Sequence, residues 1–189
     1  MAKLLDQILV VDVESTCWEG SPPEGQISEI IQIGICPLEV ATLRRLEKRS
    51  ILVKPVRSQI GDFCTNLTGL TTQMFADAIT FADALRVLKK EYQSKDRLWA
   101  SWGDYDRRHF ERQCAESKLG FPFGPTHMNV KSLFATAAGL DHELGLGGAY
   151  EKLGLTMEGR HHRGDDDAWN IAAVLGLLMQ HVRQRLKST

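Results

Sequence analysis

Apolar runs in the first third of the chain alternate with short polar stretches and predict three β-strands. The run QILVVDV at 7–13 is short and β-branched, as expected of a buried central strand. Apolar stretches at 27–38 and 45–55 predict the second and third strands, and Pro55 ends the third. Because the gaps between these strands are short, they predict an antiparallel meander.

Beyond residue 80 the apolar residues recur at helical spacing, and strands alternate with helices. Apolar residues follow Thr80, a predicted N-cap, at the helical positions Phe81, Ala84, Leu85 and Leu88. The remaining predicted elements are a strand at 96–102, a helix from about Tyr105 to Lys118, a short strand and a helix within 126–140, a short helix within 146–155, and a long amphipathic helix from Gly164 to about Leu186. The order of elements predicts a single α/β domain over 1–189, with a mixed five-stranded sheet flanked by helices.

Charge narrows the possible functions. The 189 residues carry 23 lysines and arginines against 24 aspartates and glutamates, a formal net charge of −1. This balance argues against a protein that coats nucleic acid through a large basic face. It leaves room for a local, metal-assisted phosphate site.

The cysteines and the apolar runs of the sequence favour a particular cellular compartment. The four cysteines lie far apart without a C-x-x-C pair, which disfavours a zinc site and favours a reduced, cytoplasmic setting. Asp6 and Asp12 interrupt the N-terminal apolar run, so a signal peptide is not predicted. No apolar stretch is long enough to span a membrane, and we expect no membrane partner.

Two carboxylates occupy the end of the first predicted strand. Asp12 and Glu14 are two residues apart, and the period of a strand places both on one face. Adjacent carboxylates repel each other and are costly to desolvate, which a divalent cation would relieve. A lone D-x-E is a very common pattern, so by itself the pair is better explained as a strand end whose carboxylates point into water.

A third acid lies at the start of the helix predicted from Tyr105. Helical spacing from Asp106 reaches Phe110 and Cys114, so Asp106 belongs to the inward apolar stripe. Asp104 precedes the helix and is interpreted as a turn or cap residue. The alternative for Asp106 is a carboxylate that interacts favourably with the helix dipole.

The last helix follows three consecutive aspartates. Its apolar stripe consists of Ile171, Leu175, Leu178 and Val182, and one further turn towards the N-terminus lands on Asp167. Asp167 is therefore predicted to face the sheet. Asp165 and Asp166 are predicted to point to the flank or to solvent, where they would cap the helix start.

Four inward acids thus arise from one strand end and two helix starts: Asp12, Glu14, Asp106 and Asp167. All-oxygen sites suit Mg²⁺ or Mn²⁺, and two such ions support phosphodiester hydrolysis. A general base would assist the attacking water, and either His161 or His162 in the preceding loop could reach it. Spacing within this chain does not separate these two histidines.

Three stretches carry a family resemblance: DVEST at 12–16, WGDYD at 102–106 and HRGDDD at 162–167. In this order they resemble the motifs of DEDDh 3′–5′ exonucleases, the superfamily of RNase T and proofreading subunits. CTNLTGLT at 64–71 and EKLGLTMEGRHHRG at 151–164 resemble the Eri-type exoribonuclease branch. The resemblance spans about Gln7 to Leu186 and implies a ribonuclease-H-like fold.

The resemblance also implies roles for individual residues. Asp12, Glu14, Asp106 and Asp167 match the four acids that hold two metal ions. His162 matches the general base, because the family places four residues between its histidine and the last aspartate. Asp165 departs from the family, which often has an apolar residue there.

Substrate contacts follow from the same resemblance. The 3′-terminal nucleotide would lie beside Glu14, Ser15, Thr16 and His162, with the Leu67–Thr68–Gly69 segment and Tyr105 flanking its base. Stacking on one terminal base tolerates any sequence. Core packing is the alternative role for Leu67 and Tyr105.

The expected reaction is removal of nucleotides from single-stranded 3′ ends with release of 5′-mononucleotides. RNA is favoured and DNA is possible, because no contact to the 2′-hydroxyl can be placed from the sequence. The sequence indicates no particular protein partner or oligomeric state. The alternative function is a nucleic-acid-binding protein on the same fold that has lost catalysis.

Overall fold

The secondary structure is described for residues 2–188 in a computed structural model. Within this range the strands are β1 (Leu4–Ser15), β2 (Ile30–Glu39), β3 (Arg49–Leu52), β4 (Arg97–Ser101) and β5 (His127–Asn129). The helices are α1 (Asp62–Thr68), α2 (Phe81–Glu91), α3 (Tyr105–Glu116), α4 (Val130–Ala137), α5 (Leu146–Leu153) and α6 (Gly164–Lys187), with a 3₁₀ turn at Thr72–Phe75.

The strands form one mixed sheet in the order β3-β2-β1-β4-β5. The central strand β1 pairs antiparallel with β2 and parallel with β4. The outer strands continue the pattern, with β3 antiparallel to β2 and β5 parallel to β4. The predicted fold, an antiparallel meander extended by parallel strands, is confirmed.

Alternating residues of β1 contribute to two apolar cores, one on each face of the sheet. Leu9, Val11 and Val13 face the core built with α2 and α3. Ile8 and Val10 face the opposite core, which α4, α5 and α6 cover. Asp12 and Glu14 continue the second series, so the strand period directs them to the face occupied by α6.

Several element bounds differ from the predictions. Strand β3 covers only Arg49–Leu52, whereas a strand was predicted over 45–55. Helix α1 and the 3₁₀ turn after it were not predicted, because both segments are short and α1 carries Thr and Asn residues of weak helix propensity. The predicted N-cap is confirmed, since the Thr80 side chain accepts a hydrogen bond from the Asp83 backbone N–H.

The long helix α6 outruns the sheet that it covers. Ile171 and Leu175 are fully buried, but Val182 is 58% exposed, so its prediction as part of the inward stripe was wrong. The helix packs on the core as far as Leu178 and Met179, and its last turns are exposed to solvent. No helix within residues 2–188 combines the length and the apolar character needed to cross a bilayer.

Candidate active site

The acids of the first strand lie together beside the start of α6. Asp12 and Glu14 are half-buried, and one carboxylate oxygen of each lies within 4.8 Å of a carboxylate oxygen of Asp167. Asp167 lies more than 150 positions after Asp12 and Glu14 in the chain. The predicted convergence of the strand end and the helix start is therefore present in the structure.

Asp106 joins this cluster from the N-terminus of α3. It is buried, and its Oδ1 atom accepts a hydrogen bond from the Val13 backbone N–H at 2.9 Å. Val13 lies between the two acids of β1, so this bond fixes Asp106 beside them. Asp104 is the N-cap residue as predicted, although its side chain makes no capping hydrogen bond.

Close backbone packing seats the first turn of α6, which carries Asp167. A Cβ atom on Gly34 would lie 1.9 Å from the Gly164 carbonyl carbon, so only glycine permits this approach of β2 to the helix. The Gly164 backbone N–H also donates to Oε1 of Gln32, at 2.9 Å. Asp167 follows one turn later and is buried, facing the sheet as predicted.

Burial raises the pKa of every carboxylate in the cluster, and repulsion from neighbouring carboxylates raises it further at Asp12, Glu14 and Asp106. Burial contributes most at Glu14, whose pKa rises to about 8, and the charges of Asp167 and Asp106 raise it further. Burial likewise raises the pKa of Asp106 to about 7, against the opposing effect of the Val13 N–H. The pKa values of Asp12 and Asp167 are raised by burial as well. The ionised cluster therefore lacks compensating positive charge, which a divalent cation would supply.

The two histidines approach Asp167 in different ways. Nδ1 of His161 lies 3.1 Å from Asp167 Oδ1, whereas His162 donates its backbone N–H to Oδ2 at 2.9 Å. Their rings stack with centroids 4.0 Å apart. His162 has a φ of 63°, a left-handed conformation that turns the loop into the helix. Burial and the neighbouring His161 lower the pKa of His162.

Asp165 and Asp166 contact neighbouring segments and do not point freely into solvent, so the solvent alternative of their prediction was wrong. Asp165 accepts a hydrogen bond from Nε2 of Gln32 at 2.9 Å, and its side chain is 18% exposed. Asp166 forms an ion pair with Lys48, accepts the Arg160 backbone N–H at 2.9 Å, and is 13% exposed. Both aspartates therefore fasten the start of α6 to other segments of the chain.

The candidate base-contacting residues are accessible. Tyr105 is 58% exposed and Leu67 is 37% exposed, which contradicts the alternative of plain core packing. The Tyr105 hydroxyl lies 3.0 Å from Ser15 Oγ, so it closes one side of the site next to the end of β1.

The two threonines are placed differently from Tyr105 and Leu67. Thr16 Oγ1 donates to the Ile27 carbonyl and accepts the Glu29 N–H, while Thr68 Oγ1 donates to the Cys64 carbonyl. Both threonines are completely buried. Their side chains hold the backbone around the site through these hydrogen bonds. In this conformation only the backbone atoms of Thr16 and Thr68 could contact a ligand.

Two supporting residues were missed from the sequence. Gln32 is a fully buried polar residue in a strand whose other residues before Glu39 are apolar, and this position could have marked it. Arg160 reaches from the histidine loop to the backbone of Asn66, at 2.7 Å. Its partner lies 94 positions earlier in the chain, so no local pattern could reveal the contact.

The known proteins to which this chain is similar are exonucleases. The family model described as exonuclease (RNase T) matches residues 9–175. The 3′-5′ exoribonuclease 1 of Homo sapiens is 32% identical over 185 residues, with 93% of this chain and 53% of the relative covered. The chain thus spans about half the length of this curated relative.

Two solved structures share the fold. The nuclease domain of 3′hExo, a DEDDh family member bound to rAMP, has a TM-score of 0.81 and 29% identity, with 93% of this chain and 92% of that chain covered. A 3′-exonuclease in 3′-end specific recognition of histone mRNA stem-loop has a TM-score of 0.81 and 28% identity, covering 93% and 64% respectively. The sheet order and the acids gathered at the end of β1 are consistent with this match, and the chain belongs to the RNase T family of DEDDh exonucleases.

Proposed function

We propose that this protein is a metal-dependent 3′–5′ exonuclease that acts on single-stranded nucleic acid. The observation that carries the proposal is the buried acid cluster at the end of β1, bordered by a loop with two histidines. Burying several mutually repelling carboxylates opposes folding, and such clusters are typical of functional sites. Membership of an exonuclease family indicates that the function of this site is nucleic-acid hydrolysis.

The donor set fits Mg²⁺ or Mn²⁺. Asp12, Glu14, Asp106 and Asp167 offer only hard oxygen ligands, and their raised pKa values indicate a site that lacks positive charge. These four residues would hold two ions. When bound, the ions supply an activated water and stabilise charge on the leaving 3′-oxygen.

The chain's own residues supply proton transfer and orientation. No side-chain hydrogen bond within residues 2–188 engages the His162 ring, so its imidazole is available to take a proton from the attacking water. The lowered pKa of His162 keeps this ring neutral and able to accept that proton near neutral pH. The His161 ring, held by Asp167, orients the loop.

The substrate's 3′-terminal nucleotide would occupy the space between the acids and the exposed rim residues. Glu14 and Ser15 border its sugar, and the Thr16 backbone follows them. Leu67 and Tyr105 offer apolar and aromatic surface to its base, and Thr68 shapes the segment beside Leu67. Contacts of this kind hold a terminal base without regard to its identity.

RNA is the proposed substrate class, and a nucleoside 5′-monophosphate the product. Support comes from the relatives: one is named an exoribonuclease, one structure holds rAMP, and another concerns the stem-loop of histone mRNA. We include residues 1–189 in one exonuclease domain. DNA stays within the proposal, because no residue has been assigned to the 2′-hydroxyl.

The competing function is nucleic-acid binding without catalysis. Incubation with 5′-labelled single-stranded RNA and DNA, with Mg²⁺ or with EDTA, separates the two. We expect a ladder of shortened products that EDTA abolishes. Binding of either strand with no metal-dependent ladder would favour the competing function.

A further inference from the structure

Arg160 joins the two sides of the candidate site. Its backbone N–H donates to Asp166 at the start of α6, and its side chain crosses to the end of α1. There Nη2 lies 2.7 Å from the Asn66 carbonyl oxygen and 3.4 Å from the Leu67 carbonyl oxygen. Carbonyls in the last turn of a helix lack a partner within the helix, and a cation there also interacts favourably with the helix dipole.

The backbone at Gly69 is shaped to receive this side chain. Gly69 ends α1 with a φ of 71°, a conformation that favours glycine. A Cβ atom at this position would lie 2.3 Å from Nη1 of Arg160 and 2.8 Å from its Cζ. The guanidinium group therefore packs directly on the segment that carries Leu67 and Thr68.

The Arg160 contacts leave part of its hydrogen-bonding capacity unused. A guanidinium has five N–H donors in one plane, and Nη2 alone serves the α1 carbonyls. Within residues 2–188, Nε and Nη1 have no hydrogen-bond acceptor and no carboxylate forms an ion pair with Arg160. The residue is exposed, so its charge and remaining donors are open to a ligand.

Arg160 is also suitably placed for such a ligand. It directly precedes His161 and His162 in the loop, and its backbone N–H is bonded to Asp166, the residue next to Asp167. The nearby acid cluster repels a polyanionic strand, so an uncompensated cation at the rim would offset that repulsion. A phosphate oxygen is the ligand that a planar, charged donor group binds best.

We propose that Arg160 is a substrate-binding residue that contacts a backbone phosphate near the 3′ end while it anchors the Leu67–Gly69 segment to the histidine loop. The inference rests on the proposed function, because the ligand is the strand that the acid cluster would hydrolyse. It assigns a phosphate contact to a residue that neither the acid motifs nor helical spacing selects.

Salt dependence of binding tests the phosphate contact directly. Wild type, Arg160→Gln and Arg160→Lys are compared by fluorescence anisotropy with a 5′-fluorescein single-stranded RNA, in EDTA to prevent cleavage, from 50 to 200 mM KCl. Arg44→Gln is the matched control, since it removes the same charge from a mainly exposed residue paired with Glu39. Melting temperatures of all variants show whether each is folded.

Loss of one phosphate contact predicts two changes in Arg160→Gln. Affinity falls about tenfold at low salt, as for one charge-assisted hydrogen bond. The slope of log affinity against log salt becomes shallower by about 0.7, the value for one phosphate of a single strand. Arg160→Lys keeps most of the slope, and Arg44→Gln matches wild type.

A purely structural Arg160 would lower the melting temperature and leave the salt slope unchanged, which would overturn the inference. Cleavage by the wild type with Mg²⁺ is measured in parallel. RNA binding without cleavage would contradict the proposed function, and the slopes would still decide the role of Arg160. A wild type that neither binds RNA in EDTA nor cleaves it with Mg²⁺ would contradict both proposals.

Discussion

At the scale of single residues, periodicity identified the acids but not their polar partners. The strand period and the helical stripe selected Asp12, Glu14, Asp106 and Asp167, because each position depends on its own element alone. The contacts of Asp165 and Asp166 escaped prediction, because Gln32 and Lys48 lie more than a hundred positions earlier. A charge run that looks solvated in sequence can therefore be fully engaged in the fold.

The assignment of His162, and not His161, as the general base is a prediction from the family resemblance. The structure shows that the two histidines contact Asp167 differently. Family spacing selects His162, while the His161 ring is the one hydrogen-bonded to Asp167. We expect His162→Ala to lower kcat by about 10²–10⁴-fold, the usual contribution of a general base. His161→Ala should retain most of the turnover, because Asp167 keeps its bond to the His162 backbone N–H.

Single-turnover rates of both variants at saturating Mg²⁺ measure this difference. Equal losses would contradict the assignment of His162, and a selective loss in His161→Ala would transfer the role to His161. The pH profile of the wild type should show a base whose ionisation lies below the usual histidine range, as burial lowers the pKa of His162.

At the scale of elements, the main strands and long helices were predictable because each has a strong period. Helix α1 was not, since its seven residues carry few helix-favouring side chains and the elements packed around it stabilise it. The exposed end of α6 was also missed, because an apolar stripe does not reveal where the sheet beneath it stops. Both the formation of α1 and the extent to which α6 is buried depend on contacts with neighbouring elements.

The seating of α6 on β2 makes a prediction at this scale. Gly34→Ala would push a methyl group into the Gly164 backbone, which cannot give way as a side chain could. We expect a loss of about 1–3 kcal/mol in the free energy of unfolding, together with weakened catalysis as Asp167 shifts. Chemical denaturation and turnover assays measure the two effects.

Gly147→Ala is the matched control for this substitution. Gly147 lies within α5, and apart from its chain neighbours and its own helix backbone no atom would lie within 4 Å of its added Cβ. The control should be neutral or slightly stabilising, because alanine favours helices over glycine. A Gly34→Ala variant as stable and active as this control would contradict the close seating of α6.

At the scale of the whole molecule, the acid cluster links stability to pH and metal. Glu14 and Asp106 have folded pKa values of about 8 and about 7, above their ordinary values of 4.5 and 3.8. The folded state therefore binds more protons than the unfolded state in this range, and metal-free stability falls as pH rises towards 8. Divalent cations bind the ionised carboxylates and should reverse the loss.

Melting temperatures in EDTA at pH 6.5 and 8.5 test this linkage. The opposite effect of His109, whose pKa is lowered by burial to about 4, is small in this range because it varies mainly between that value and the ordinary 6.5. We expect a lower melting temperature at pH 8.5, and a larger increase with Mn²⁺ there than at pH 6.5. Glu14→Gln should flatten the dependence, and an unchanged dependence in that variant would contradict the cluster's role.

The direction of degradation tests the proposed exonuclease most directly. One single-stranded RNA is labelled on its 3′-terminal nucleotide and, in a separate preparation, at its 5′ end. With Mg²⁺, the 3′ label should leave at once as a 5′-mononucleotide, while the 5′ label passes through progressively shorter strands; EDTA or Asp167→Asn should stop both. Early release of the 5′ label, internal cuts, or no metal-dependent product would contradict a 3′–5′ exonuclease.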